Sequence, residues 1–165
     1  MQHVQTRSTT SALVLTAVLI ALATLFTMYT KIPVPGIRGY FNVGDVVIMT
    51  SALLLGRKYG AYIGAIGPAL ADLFLGYAVF VPITFVVKGI EGYLVGTVYN
   101  HKTTTSALVA TIVGGIIIVA GYFIAEYFVF DPGVAIASIL TNAIQAVMSV
   151  IVSMILYAIL RKRLG

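Results

Sequence analysis

The sequence predicts an all-α integral membrane protein, with six transmembrane helices in a single domain over residues 1–165 and both termini in the cytoplasm. Its 165 residues are 60% hydrophobic and only 9% charged, and the mean hydropathy is +1.05. A soluble domain of this length could not bury so much apolar surface. Because one span needs about 20 residues, six spans leave room for short connections and for no soluble ATP-hydrolysing module.

The positions of the basic residues predict the orientation. Two of them fall in one set of alternate connections, whereas seven fall in the other set or at the termini. The two are Lys31 and Arg38, and the seven are Arg7, Arg57, Lys58, Lys102, Arg161, Lys162 and Arg163. Basic residues concentrate on the cytoplasmic side of membrane proteins, so this second set is expected inside the cell. The net charge of +5 then reports membrane topology rather than a nucleic-acid surface.

Six apolar segments predict the helices. They cover residues 11–29, 43–55, 59–75, 79–99, 106–128 and 133–160. The first is too long for a typical signal-peptide core and lacks a clear cleavage site before Lys31, so we interpret it as a span. The connection over residues 31–42 is the longest and carries two prolines and two glycines. We expect it to lie outside and to act as a lid over a cavity, although a plain connector also fits.

The segment 76–96 places charged residues inside an apolar run. Thr84, Lys88 and Glu91 recur at helical spacing and share one face of the fourth helix. A charge near the bilayer centre costs about 2.5–3.5 kcal/mol on insertion scales, so such residues usually pair or face a polar cavity. Lys88 and Glu91 could pair with each other and only orient helix packing, or they could contribute to a ligand site.

Other polar residues are expected at a similar depth. Asp45 begins the second helix, where an acid also favours a helix N-terminus, and Asp72 ends the third helix on its small-residue face. The sixth helix carries Asn142 and Gln145 in a polar stripe, which could either join helices or bind a heterocycle. The fifth helix is predicted to be scaffold.

Together these residues predict a blind cavity that opens outward. We expect almost no buried polar group in the cytoplasmic half, whereas an ion path would need polar residues at every depth. The candidate substrate-binding residues are Tyr40, Phe41, Asn42, Asp45, Asp72, Thr84, Lys88, Glu91, Asn142 and Gln145.

Small residues four apart predict contact faces for other helices. Ala17 and Ala21 form such a face on the first helix, and Gly60 and Gly64 form one on the third. We interpret these four as a partner interface.

The residue types argue against catalysis. There is no cysteine, no paired-histidine motif and no Gly-x-Ser-x-Gly elbow, so we predict no enzyme, no catalytic residue, no metal site and no cofactor.

Two stretches carry a family resemblance. FNVGDVVIMTSALLLG and GPALADLFLGYAVFVPITFVVKGIEGYLVG resemble the substrate-binding S-components of energy-coupling factor (ECF) transporters, in the group of riboflavin, hydroxymethylpyrimidine and vitamin B6 carriers. The resemblance implies a protein of the bacterial cell membrane that captures a vitamin or precursor from outside with high affinity. It also implies that the protein delivers this ligand by toppling within a complex with a transmembrane T-component and two cytoplasmic ATPases. It also implies that Ala17 and Ala21 meet the T-component and that the 31–42 loop closes over the ligand.

The ligand and the mode of transport have alternatives. A hydroxymethylpyrimidine or B6-type ring fits best, because the absence of tryptophan argues mildly against a large flavin. Riboflavin or another B vitamin is an alternative ligand for the same role. A different class of protein, an autonomous carrier or channel with a Lys88, Glu91 and Asp72 charge relay, also fits the residues, and so does a structural subunit without a ligand.

Overall fold

A computed structural model describes residues 9–33, 40–100 and 103–164 of the chain. Six α-helices and one pair of short antiparallel strands account for these residues. They are α1 (Thr9–Tyr29), β1 (Ile32–Pro33), β2 (Tyr40–Phe41), α2 (Gly44–Leu55), α3 (Arg57–Phe74), α4 (Phe80–Val98), α5 (Thr104–Val129) and α6 (Pro132–Leu164). The prediction of a six-helix protein is confirmed, and β1 with β2 was not predicted.

Four of the described helices are long and apolar enough to cross a membrane, namely α1, α4, α5 and α6. The α2 helix has only 12 residues, and nine of them are buried. It packs against α1, α3, α4 and α6, which places it at the centre of the bundle. Its apolar composition therefore reflects burial in protein rather than contact with lipid.

The turn between α2 and α3 is shorter than predicted. Arg57 and Lys58 lie in the first turn of α3 rather than in a connection, so only Gly56 separates the two helices. Gly56 has φ of +89°, a left-handed conformation that glycine adopts without the penalty of a side chain. A one-residue turn at this position thus depends on glycine.

Glycines bring α3 and α4 into close contact. A Cβ atom on Gly60 would lie 2.5 Å from the backbone oxygen of Gly92, and one on Gly64 would collide with the backbone oxygen of Lys88. Both glycines are buried. Their assignment to a partner interface is therefore wrong, because their surface is consumed by helix packing within the chain. By contrast, Ala17 and Ala21 are exposed on α1.

The half of the bundle near the C-terminal end of α2 is filled mainly by apolar side chains. Its core includes Met49, Leu53, Val95, Ile118 and Tyr157.

Buried polar groups also occur in this half, whereas the sequence analysis expects almost none in the half that faces the cytoplasm. Thr111, Ser149 and Ser153 are all buried there. Hydroxyl groups are tolerated inside a bundle when they bond to helix carbonyls, and Thr111 and Ser153 do so, with Ala107 O at 3.1 Å and Val150 O at 3.1 Å.

Candidate binding cavity

A polar cavity lies at the end of the bundle that holds β1 and β2. The residues that line it come from the C-terminal halves of α1, α3 and α5, from the N-terminal halves of α4 and α6, and from the segment before α2. Its walls are formed by Thr27, Asn42, Pro68, Asp72, Phe80, Thr84, Lys88, Tyr122, Glu126, Ser138, Asn142 and Gln145. Six of the predicted site residues are thus brought together from four separate parts of the chain.

Two of the other predicted residues lie behind the cavity wall. Asp45 and Glu91 are fully buried and stand behind Lys88 rather than in the cavity wall. Tyr40 and Phe41 form β2, but their side chains lie outside the described part of the structure, as do residues 34–39 of the expected lid.

Lys88 is held by two carboxylates in the interior. Its Nζ lies 2.5 Å from Asp45 Oδ1 and 3.5 Å from Glu91 Oε2, and all three side chains are at most 1% exposed. Glu91 accepts no hydrogen bond with proper geometry in the described structure. Sequence spacing indicated a Lys88–Glu91 pair, but Asp45, 43 residues away in the chain, is the closer partner.

A glutamine links this ion cluster to the segment before α2. Gln145 Nε2 donates to Asp45 Oδ2 at 2.7 Å, and Gln145 Oε1 accepts from the backbone N–H of Asn42 at 3.0 Å. The Asn42 side chain in turn accepts from Gly44 N–H at 2.8 Å. Both ends of the Gln145 amide are therefore hydrogen-bonded, and this side chain joins α6 to α2 and to the segment before α2.

The α5 helix supplies two cavity residues that sequence analysis did not predict. The Tyr122 ring lies under Lys88, with Nζ 5.3 Å from the ring centroid, a distance at which cation–π attraction operates. The Tyr122 hydroxyl is 3.0 Å from Thr84 Oγ1. Glu126 is 3% exposed and accepts a hydrogen bond from Ser138. The interpretation of this helix as scaffold alone is thus wrong.

A sequence signal for these α5 residues did exist. Tyr122 and Glu126 are four residues apart, and an i, i+4 pair shares one helix face. A carboxylate in an apolar span is itself expected to face the protein interior. Glu126 lies in the last turn of α5, and nothing in the sequence of α5 alone indicates that its face meets Ser138.

Several polar atoms in the cavity lack a hydrogen-bond partner in the described structure. They include Thr27 Oγ1 and Asn142 Nδ2, both of which are buried. A buried polar group without a partner costs about 1–3 kcal/mol. Such groups in a cavity wall are what a polar ligand or ordered water would satisfy.

The cavity volume is about 30 Å³. A water molecule needs roughly 10–15 Å³ on this measure, so the space suits about two to three waters. Pockets for drug-sized ligands usually measure about 300–1,000 Å³. A vitamin-sized ring therefore requires the walls to move apart.

Comparison with known proteins identifies the family. The family model for the ECF-type riboflavin transporter S component matches residues 7–162. The chain belongs to this family. The resemblance seen in the sequence is thereby confirmed, and this S component is an integral protein of the plasma membrane. The family consists of transporter components, not enzymes; its members bind vitamin substrates and work with a T-component and two ATPases.

Two curated relatives cover most of the S component. An uncharacterised protein of Pyrococcus woesei is 41% identical over 145 residues, which cover 86% of this chain and 96% of the relative. The thiamine precursor transporter HmpT of Lactococcus lactis is 29% identical over 149 residues, covering 89% of this chain and 83% of HmpT.

Solved structures share the fold of this S component. The S component of a bacterial ECF transporter matches with a TM-score of 0.73 and 21% identity, over 94% of this chain and 98% of that one. The S component for biotin from an ECF-type ABC transporter matches with a TM-score of 0.58 and 19% identity, over 91% and 94% respectively.

Proposed function

We propose that this S component captures a small heterocyclic vitamin or precursor, of the hydroxymethylpyrimidine or B6 type, for ATP-driven import. The observation that carries this proposal is the convergence of five helices on one polar cavity with unpartnered Asn142 and Thr27 atoms. A compact set of amide, hydroxyl and carboxylate groups suits a small ring with donors and acceptors. Similarity to the thiamine precursor transporter HmpT supports the same ligand class.

The cavity is proposed to face the outside, with both termini in the cytoplasm. It lies at the end of the bundle that holds β1 and β2, whereas Arg57, Lys58, Arg161 and Lys162 lie at the opposite end, near the α2–α3 turn and the end of α6. The positive-inside bias assigns that basic end to the cytoplasm. The ligand would then enter from outside, between the helix ends.

The exposed face of α1 is proposed as the contact with the T-component. Ala17 and Ala21 are exposed and one turn apart, and small residues at this spacing allow two helices to approach closely within a membrane. The α1 helix packs against α2 and α3 and still leaves this face uncovered in the isolated chain.

Native mass spectrometry of the protein purified from cells grown in rich medium tests the proposal directly. We expect one bound molecule with the mass of a pyrimidine or pyridine vitamin or precursor, and no turnover of that molecule. Co-expression with a T-component and two ATPases should yield a complex that contains this chain. A bound flavin would contradict the proposed ligand class, and failure to bind any small molecule in titrations would contradict the capture role.

A further inference from the structure

We propose that Glu126 and Asn142 together read one edge of the ligand and select a ring with an exocyclic amino group beside a ring nitrogen. This inference rests on the proposed function, because it assigns a ligand edge to the same cavity. It favours an aminopyrimidine over a pyridine ring without an amino group.

Glu126 provides an acceptor that the protein leaves largely unused. The carboxylate is buried and lines the cavity, and Ser138 is its hydrogen-bond donor in the described structure. No described lysine or arginine lies within ion-pair distance of it. An ionised carboxylate has about four acceptor sites, so Glu126 keeps capacity for a donor from the ligand. A buried carboxylate without such donors is costly.

Asn142 provides a donor next to this acceptor. Its Nδ2 is buried and has no partner in the described structure, and it lines the same cavity. Asn142 follows Ser138 by four residues on α6, so the two side chains lie on one face, one turn apart. Since Ser138 holds Glu126, the acceptor and the free donor stand within about one helical turn of each other.

The other charged and amide groups of the wall, Asp72 among them, each have a partner in the structure. Lys88 is bound to Asp45 and Glu91, and both ends of the Gln145 amide are hydrogen-bonded. Among the charged and amide side chains of the wall, Glu126 thus offers acceptor capacity beside the unpartnered N–H donor of Asn142. An amino group next to a ring nitrogen presents the complementary order, a donor to Glu126 and an acceptor to Asn142.

Binding titrations with four probes test this assignment. The probes are 4-amino-5-hydroxymethyl-2-methylpyrimidine, the same compound without its amino group, pyridoxine and riboflavin. We expect the aminopyrimidine to bind at least about tenfold more tightly than the analogue without the amino group, because that analogue leaves Glu126 unpaired. In Glu126→Gln, the affinity for the aminopyrimidine should fall and the ratio between the two pyrimidines should shrink.

Two further variants separate recognition from folding. Asp131→Asn makes the same carboxylate-to-amide change at an exposed residue that caps α6, and asparagine caps helices equally well, so the affinity should not change. If Glu126→Gln does not fold, Asn142→Ala provides the second test, with weakened binding of the aminopyrimidine as the expected result.

The outcomes distinguish this inference from the proposed function. Equal affinity for both pyrimidines, or tighter binding of pyridoxine, would show that Glu126 and Asn142 do not select an amino group. The proposed function, capture of a small heterocyclic ring, would be unaffected by that result. Tight riboflavin binding would overturn the amino-edge assignment and the proposed ligand class. Absence of binding for all four probes, with no ligand found by native mass spectrometry, would overturn the capture role and this inference with it.

Discussion

Lys88 Nζ lies 2.5 Å from Asp45 Oδ1, and both side chains are at most 1% exposed to solvent. The two residues come from different helices, α4 and α2, so this ion pair fixes the central helix of the bundle against one of the helices that line the cavity. Glu91 stands 3.5 Å from the same ammonium. The interior therefore holds one cation between two carboxylates.

A double-mutant cycle should show strong coupling between Asp45 and Lys88. Breaking a buried ion pair from one side costs about 3–5 kcal/mol, since it leaves the other charge uncompensated. We expect Asp45→Asn and Lys88→Met each to lower the thermal stability in detergent, with a smaller loss in the double variant than the sum of the two. Additive losses would mean that the two side chains do not stabilise each other.

The closeness of α3 and α4 predicts a graded response to added methyl groups. A Cβ at Gly64 would collide with the Lys88 backbone oxygen, whereas one at Gly89 meets the Ala65 Cβ at 3.2 Å. Gly64→Ala should therefore sharply reduce the yield and melting temperature of folded protein, and Gly89→Ala in the same interface should have a small effect. Equal melting temperatures for both variants would show that α3 and α4 separate without cost.

The sequence was sufficient to predict the helices and much of the cavity. A lysine, an asparagine and a glutamine inside apolar segments are informative because each must face protein or a cavity. Counting residues from the helix ends placed Lys88 and Asn142 at a similar depth, and both line the cavity.

The pairing of side chains could not be predicted in the same way. Periodicity states which face of a helix is polar, but it does not state which helix that face meets. Lys88 could thus be matched with Glu91 on its own helix, whereas Asp45 is brought to it by tertiary packing. The stripe that contains Gly60 and Gly64 looked like an outer interface for the same reason, because small residues pack equally well within a chain and between chains.

The hydrogen bond from Asn42 N–H to Gln145 should be visible in hydrogen exchange. Gln145→Met removes both the acceptor for Asn42 and the donor to Asp45, so a peptide that contains Asn42 should exchange faster. Gln145→Glu keeps an acceptor for Asn42 but places a carboxylate against Asp45, so it should retain more protection at Asn42 than the methionine variant. Unchanged exchange in Gln145→Met would argue against this link between α6 and the segment before α2.

The α1 face predicts an assembly defect that spares binding. Ala17→Leu and Ala21→Leu add bulk to an exposed surface, so they should reduce co-purification of the T-component and ATPases while the isolated protein still folds and binds its ligand. Ala158→Leu, an exposed alanine on α6, is the matched control. Normal assembly of both α1 variants would exclude this face as the T-component contact.

Asn142 and Lys88 should respond differently when each is removed. Asn142 Nδ2 has no partner in the described structure, so Asn142→Ala should leave the melting temperature of the empty protein nearly unchanged. Its effect should appear in ligand affinity, at about 1–3 kcal/mol for a lost hydrogen bond to a buried group.

Lys88→Ala should instead lower both the stability and the affinity, because Lys88 holds Asp45 and also lines the cavity. Thermal melting without ligand and calorimetric titration with ligand measure the two effects separately. If Asn142→Ala lowers the melting temperature of the empty protein as much as Lys88→Ala does, Asn142 supports the fold. If instead neither variant changes the affinity, the ligand contacts another wall of the cavity.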